Sequence, residues 1–392
     1  MTAKTSRPTR RPRDRKAQIL AAAADCFHRS GYHGTGMDDI ATAVGITAGS
    51  LYWHFRGKQE LLDQVVLTSL DLVLEAVREA DGVDALLRTL ASFSLDNRSF
   101  AALWDREEAN LSADCRAEAR QRHAQVVDAV GAAVSAARPE LDRTDAQLIA
   151  WAVLGVLGSP SYHHVDIPRP HFGDLLYGLA TTLRETPTLP PVAAHEKPRP
   201  QAGLTHASRR EALLTAAVRL FDDRGFQAVS MDDIGAAAGI SGPAVYNHFK
   251  AKADLLVAAL SRLSAALFFD LDEALAASVD AREALTRTVR TYSSATLAFS
   301  GAPGLLASAQ THLVPADRDA LHRAQVEYTA EWAGLLRRCR PELGDAEALV
   351  AVHSVLNLIN FVSRLPLLPR RSDPVQTLVD LSTQVLGIRP RH

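Results

Sequence analysis

A chain of 392 residues, 47% hydrophobic and 22% charged, is longer than one helical core organises; it implies at least two folded domains and excludes a chain disordered throughout. The formal net charge of −2 excludes a uniformly basic nucleic-acid coat, and three scattered cysteines, Cys26, Cys115 and Cys339, exclude a disulfide framework and a cysteine-built zinc site. The richest apolar run, Leu148 to Gly158, is far short of the roughly 20 residues of a bilayer helix, and the basic N-terminus lacks the apolar stretch of a secretory signal, so a cytoplasmic protein with no membrane partner is expected.

The charge is unevenly placed. Residues 1–14 read as a flexible basic arm. Lys4, Arg7, Arg10, Arg11 and Arg13, continued by Arg15 and Lys16, stand against the single acid Asp14, a local +6 that leaves −8 for the rest of the chain. Pro8 and Pro12 argue against a regular helix there. Arginines on such an arm suit a minor groove of DNA, whose concentrated negative potential attracts them. A solvated tail explains the arm equally well until the following domain is read.

From Lys16 to Ser30 apolar residues recur at helical spacing, with Ile19, Leu20, Ala23 and Phe27 on one stripe and Gly31 as the stop. A short second helix spans Met37 to Val44, Gly45 breaks the chain, and Thr47 caps a third helix running to Phe55. Helix, short helix, glycine turn, short helix is the order of a helix-turn-helix. The unit recurs: Arg15–Leu62 aligns without a gap to Arg209–Leu256 at an offset of 194, with 19 of 48 positions identical. Ser230 and Asp233 form an N-terminal capping signature in the second copy. Gly239 turns the chain there, and Ser241 caps a third helix to Phe249. Further along, Ala124-Gln125-Val126 returns as Ala324-Gln325-Val326, and Arg138-Pro139-Glu140-Leu141 as Arg340-Pro341-Glu342-Leu343. The whole domain is therefore duplicated.

In a helix-turn-helix the last helix enters the major groove and neighbouring groups hold phosphates. Leu51 and Phe55 are expected to face inward. Thr47, Ala48, Gly49, Ser50, Tyr52, Trp53 and His54 are left for the groove and its walls, with Thr35 at the entry of the second helix and Lys58 reaching a phosphate. The second copy offers Ser230, Ser241, Gly242, Pro243, Ala244, Tyr246, Asn247, His248 and Lys252. For Tyr52 and Tyr246 the competing reading is packing between helices, since a ring with a polar tip serves both purposes.

The stretch from Gly31 to Leu62 resembles the DNA-binding domain of the TetR family of bacterial regulators, and the same pattern occurs twice. Asp-Asp-Ile, a glycine turn, Tyr-x-His-Phe and a lysine before the fourth helix carry the resemblance. It implies an all-α fold in which each copy has a helical C-terminal domain that binds a small molecule and dimerises through its last two long helices. The tandem layout is similar to double-domain members from mycobacteria and related actinobacteria that repress lipid- or sterol-import operons. One departure is that the lysine common just after the cap of the third helix is replaced by Ala48 and Gly242.

The chain then divides into an arm (1–14), a first reading domain (15–62), a first ligand and association domain (63–186), a proline-rich linker (187–206), a second reading domain (207–256) and a second ligand and association domain (257–392). Arg122–Arg138 with Asp145–Tyr162, and His322–Arg338 with Asp345–Arg364, are expected to pack as an internal four-helix interface. The linker, about 20 residues at about 3.1 Å each, reaches far enough for this. Pairing between two chains is the rival. The unequal reading helices predict a non-palindromic double-stranded operator, with Asn247 suited to adenine and Trp53 to a thymine methyl.

A hydrophobic or acyl-type effector that releases DNA is expected in the ligand domains. Its first lining is Phe93, Phe100, Trp104, Arg106 and Glu107, and its second is Phe268, Phe269, Tyr292 and Phe299. Ordinary core packing competes for every ring. His163, His164, Asp166 and His171 match no metal site, and no phosphate loop or serine nucleophile motif is present. Neither cofactor nor catalysis is expected, so a metal-dependent enzyme is the weaker alternative. A nonspecific architectural binder would need basic surface over much of the fold.

Overall fold

The structure is a computed structural model that describes residues 12–187, 189–193, 206–298 and 313–388. Arg7, Arg10, Arg11 and Phe299 lie outside the described residues. The first copy contains α1 (Pro12–Gly34), α2 (Met37–Val44), α3 (Ala48–Tyr52), α4 (Lys58–Glu79), α5 (Gly82–Asp96), α6 (Phe100–Glu107), α7 (Ala113–Ala137), α8 (Arg143–Gly158) and α9 (His171–Thr182). The second contains α10 (Arg209–Arg224), α11 (Met231–Ala237), α12 (Gly242–Val245), α13 (Lys252–Ala276), α14 (Ala281–Ala298), α15 (Pro315–Cys339), α16 (Asp345–Val362) and α17 (Pro374–Leu386). An isolated bridge between Val192 and Arg371 is the strand-like pairing among the described residues.

Local chemistry accounts for most boundaries. Pro12 opens α1, where a missing N–H costs nothing, so the helix takes up the end of the expected arm. Gly31 at φ 72° interrupts α1 and Gly225 at φ 78° ends α10, left-handed values that favour glycine. The expected capping box is present in α11: Ser230 Oγ accepts from Asp233 N at 3.1 Å and Asp233 Oδ2 accepts from Ser230 N at 2.8 Å. The reading helices are shorter than expected, ending at Tyr52 and Val245 rather than at Phe55 and Phe249. His54 N bonds Leu51 O, and His248 N bonds Val245 O; these three-residue closures tighten and end each helix.

The described residues fall into two compact units that do not follow the repeat: one runs to Leu74 and includes Ser99–Ala124, the other comprises Glu75–Arg98 and the chain from Gln125 onward. In the first unit Ile19, Ala23, Phe27, Ile40, Leu51, Phe55, Leu61 and Leu62 are buried around α1 to α4. In the second, the matching positions Leu213, Ala217, Phe221, Ile234, Val245, Phe249, Leu255 and Leu256 form the same core. Burying such side chains supplies about 1.5–3 kcal/mol each, and it fixes which faces of α3 and α12 remain outside.

The second unit also holds α8 and α9 of the first copy together with α13 to α17 of the second. There α8 packs along α16, and α9 meets α17. This differs from the expected pairing, which assigned α7 and α15 to the seam with α8 and α16. Asn357 Nδ2 donates to Gly155 O at 2.7 Å, Gln384 Nε2 donates to Thr182 O at 2.8 Å, and the Trp151 and Phe361 rings lie 5.2 Å apart. The 18-residue α16 is long and apolar enough to cross a membrane, which no run of the sequence was expected to be. Its Val350, Leu358 and Ile359 are fully buried, as befits the interior helix of this unit.

The start of the linker is docked. Ala193 N donates to Arg370 O at 2.8 Å and Ser372 N to Pro191 O at 2.9 Å. Arg371, 1% exposed, donates to Pro190 O at 3.1 Å and pairs with Asp145 at 2.5 Å. Extended, proline-rich backbone leaves its carbonyls unpaired, and here they are taken up by the segment before α17.

Candidate nucleic-acid interface

In the first unit, burial of Leu51 and Phe55 turns the remainder of α3 and its flanks outward. Thr47, Gly49, Ser50 and His54 are exposed and Ala48 is half-buried. Tyr52 is 55% and Trp53 90% exposed, so the packing alternative for Tyr52 falls away. Thr47 caps the helix, its Oγ1 accepting from Ser50 N at 3.2 Å and sharing a 2.9 Å hydrogen bond with Ser50 Oγ. The Lys16 ammonium sits 5.6 Å above the Phe55 ring, which brings the foot of α1 to the reading helix. Arg13 lies in the first turn of that helix.

In the second unit Val245 and Phe249 point inward. Ser241, Pro243, Asn247 and His248 are exposed, Gly242 and Ala244 are half-buried, and Tyr246 is 54% exposed. Ser241 stands at the cap position but makes no side-chain cap bond, unlike the expectation from its type. A Cβ on Gly242 would collide with Asp232 Oδ1, so any longer residue there must displace that carboxylate. Gly235 is more tightly held, because its Cβ would meet the backbone oxygen of Ile240 at 2.7 Å. Arg210 repeats the role of Lys16, 4.8 Å above Phe249.

Four expected DNA contacts are placed otherwise. Thr35 is buried, donating to Gly31 O at 2.8 Å and Cys26 O at 3.1 Å. The hydroxyl of Ser230 is engaged in its capping box, although the residue is exposed. Lys58 Nζ donates to Tyr32 O at 2.7 Å and Thr35 O at 3.0 Å. Lys252 Nζ donates to Phe226 O at 2.5 Å and Val229 O at 2.7 Å, and burial lowers its pKa. Both ammonium groups, expected to reach phosphates, therefore hold the loop between the first two helices of each copy. The reason is reach: the aliphatic stem spans from the start of the fourth helix to the carbonyls of that loop.

The ligand linings are likewise redistributed. Arg106 donates to the carbonyls of Phe27 and His28, and its Nε pairs with Glu107 at 2.9 Å. Glu107, 2% exposed, accepts from Tyr32 N at 3.1 Å. This pair ties α6 to the later turns of α1. Trp104 stacks on His123 at 5.4 Å. Phe93 stands on α5 in the second unit and Phe100 on α6 in the first. Phe269 is 65% exposed and faces away from any lining.

A cavity of about 90 Å³ lies in the second unit between α13, α14, α15 and α16, lined by Leu260, Leu267, Tyr292, Thr296, Gln325, Tyr328, Thr329 and Leu356 among others, none of them charged. Tyr292, an expected lining residue, donates to Asn360 Oδ1 at 2.9 Å, and burial pushes its phenol up to about 12. Phe268 packs on the Tyr328 ring at 5.5 Å. Among the described residues the buried Tyr328 hydroxyl has no hydrogen-bond partner; burial raises its pKa, and the nearby Trp332 indole opposes that shift. Gln325, Tyr328 and Thr329 were missed in sequence; their spacing of three and four on one helix was the available signal.

Residues 19–65 and 213–259 each match the bacterial regulatory proteins of the tetR family. The HTH-type transcriptional activator FasR of Mycolicibacterium smegmatis is 43% identical over 75 residues, 19% of this chain and 34% of that protein. The HTH-type transcriptional repressor KstR2 of Rhodococcus jostii is 34% identical over 110 residues, 26% of this chain and 54% of that protein. The chain thus spans about a third to a half of the length of these relatives. Among solved structures, the TetR-family regulator PfmR from Thermus thermophilus is similar with a TM-score of 0.38 and 21% identity, over 43% of this chain and 97% of that one. One helix-turn-helix is built twice on the same eight buried positions, and each copy is matched in turn, so the chain carries two DNA-binding segments of the tetR family of bacterial regulatory proteins in tandem.

Proposed function

We propose that the chain is a transcriptional repressor that reads a non-palindromic operator with two unequal heads, its association helices acting as an intramolecular pseudo-dimer in the cytoplasm. The observation that carries this is the exposed set of each head: Tyr52-Trp53-His54 in one and Tyr246-Asn247-His248 in the other, on matching buried positions. The shared tyrosine and histidine suit sugar and phosphate, and the unlike Trp53 and Asn247 suit different bases. Pairing within one chain is supported by the linker residues docked on Arg370–Ser372. The relatives include both an activator and a repressor; repression is the sign we propose.

The effector reading rests on the uncharged cavity of the second unit. A largely apolar ligand with a neutral hydrogen-bonding group, such as an acyl chain with its carbonyl, fits Gln325, Thr329 and Tyr328. A neutral group is favoured over a free carboxylate because none of the described lining residues is charged. Binding that favours the DNA-free arrangement releases the operator.

Selection of sites from a random duplex pool, followed by footprinting, tests the reading. Two different half-sites are expected, with Trp53→Ala relaxing preference in one and Asn247→Ala in the other, each by about 1–3 kcal/mol. A perfect inverted repeat, or both variants acting on the same half-site, would overturn it. A promoter-reporter assay fixes the sign.

A further inference from the structure

Beyond Arg138 and Arg340 the two copies run at an offset of 202, which makes Gly155 and Asn357 the same position of the repeat. These equivalent residues meet where α8 crosses α16: the Asn357 amide donates to Gly155 O at 2.7 Å. A Cβ at 155 would lie 2.9 Å from Leu358 Cα and 3.5 Å from Leu358 N. Those are backbone atoms with no flexible end to yield, so the closeness of the helices depends on the missing side chain. A second equivalent pair meets between α9 and α17, where Gln384 Nε2 reaches Thr182 O at 2.8 Å. Equivalent positions that touch mark the local twofold axis of a dimer-like seam, and at both places the partners are unlike.

The flanks of the crossing follow the same rule. The Trp151 ring lies tilted against Phe361, with centres 5.2 Å apart, whereas their equivalents in the other copy are His353 and Ser159. Two first copies would set Trp151 against Ser159, and two second copies His353 against Phe361. The first pairing loses the ring contact, and the second keeps only a smaller imidazole–phenyl pair in place of the indole.

We propose that Gly155 and Asn357 are the specificity determinants of this seam: the α8 face of the first copy accepts the α16 face of the second and rejects its own kind. Two first copies would oppose Gly155 to Gly155 and leave both carbonyls without the asparagine amide. Two second copies would bring Asn357 to Asn357 at a crossing with no room for a single Cβ. The partner is therefore one second-copy domain, supplied by the same chain in the pseudo-dimer reading on which this inference rests. Unlike faces prevent a tandem chain from stringing to others through like–like contacts.

The test compares full-length Gly155→Asn, Asn357→Gly and the exchanged double variant by thermal unfolding and by mass in solution. Gly155→Asn is expected to lower the midpoint by about 4 °C or more, and the exchange to recover at least about half of that loss, because it restores one small and one large partner. A Gly155→Asn midpoint within about 1 °C of the parent, or an exchange no better than Gly155→Asn alone, overturns the proposal. Should Gly155→Asn not fold, Gly155→Ala with and without Asn357→Gly makes the same comparison, and the same two outcomes overturn the proposal. A parent of twice the chain mass with a successful exchange would overturn closure within one chain while upholding unlike pairing.

Discussion

Lys58 and Lys252 open the fourth helix of each copy, where a positive charge opposes the helix dipole. The opposition is relieved by the carbonyls that surround each ammonium and by an aromatic face 4.4 Å away, Tyr32 or Phe226. Lys58→Ala removes donors from two backbone carbonyls and is expected to cost about 1–3 kcal/mol of stability. Operator affinity should fall without a change in the slope of log affinity against log salt. A phosphate ligand would instead lower that slope by about 1, and finding such a change with unaltered stability would return Lys58 to the groove. In sequence, the recurrence of this lysine marked the position as important but left its target open, because the carbonyls lie 23 and 26 residues upstream. Thr35 carried a better signal: its equivalent is Val229, and a threonine exchanging with valine points to a buried site. The outward residues were legible because Leu51 and Phe55, one turn apart, can only face the core.

At the scale of elements, α6 is held to α1 by a single buried cluster. Arg106 donates to the carbonyls of Phe27 and His28 in the later turns of α1, and Glu107 neutralises it while accepting from Tyr32 N. Asn110 Nδ2 donates to the second oxygen of Glu107 at 2.7 Å. Arg106→Ala would strand the Glu107 carboxylate, and a loss of about 3 kcal/mol or more is expected. Hydrogen exchange should rise in α6 and in Phe27–Tyr32 before it rises in α2. Unchanged exchange there would show that α6 is anchored by its apolar contacts alone. The helices themselves were readable from glycine stops, caps and the repeat, all of them local signals. Which helices pair across the seam was not, since α7 and α15 are as long and as helical in pattern as α8 and α16, and only the tertiary packing separates them. The docked linker was equally silent, because a proline-rich run looks extended whether or not its carbonyls are used.

For the molecule as a whole, the seam of the second unit carries two buried imidazoles, and they give it a dependence on pH. His163, just after α8, and His353, on α16, stack with ring centres 4.7 Å apart. Burial, reinforced by the charges of His353, Arg98 and His164, holds His163 down to about 2, and burial holds His353 at about 4. His163 Nδ1 accepts from Val165 N at 3.2 Å, and Arg98 donates to His163 O at 3.1 Å, so the neutral ring is the one the fold accommodates. Both folded values lie below the ordinary histidine value near 6.5, and the unfolded chain therefore binds protons first as pH falls. The stability is fully present above about pH 6.5 and is lost progressively toward pH 4, by about 1–2 kcal/mol for each ring at pH 5. Calorimetry from roughly pH 7.5 to roughly pH 5, a descent through the ordinary histidine value while both folded rings stay neutral, should show the transition of the second unit moving down. His353→Gln should flatten that descent while leaving the transition of the first unit unmoved. Parallel descents in parent and variant would mean that ordinary surface carboxylates, not the stacked rings, carry the acid sensitivity of the joint between the two copies.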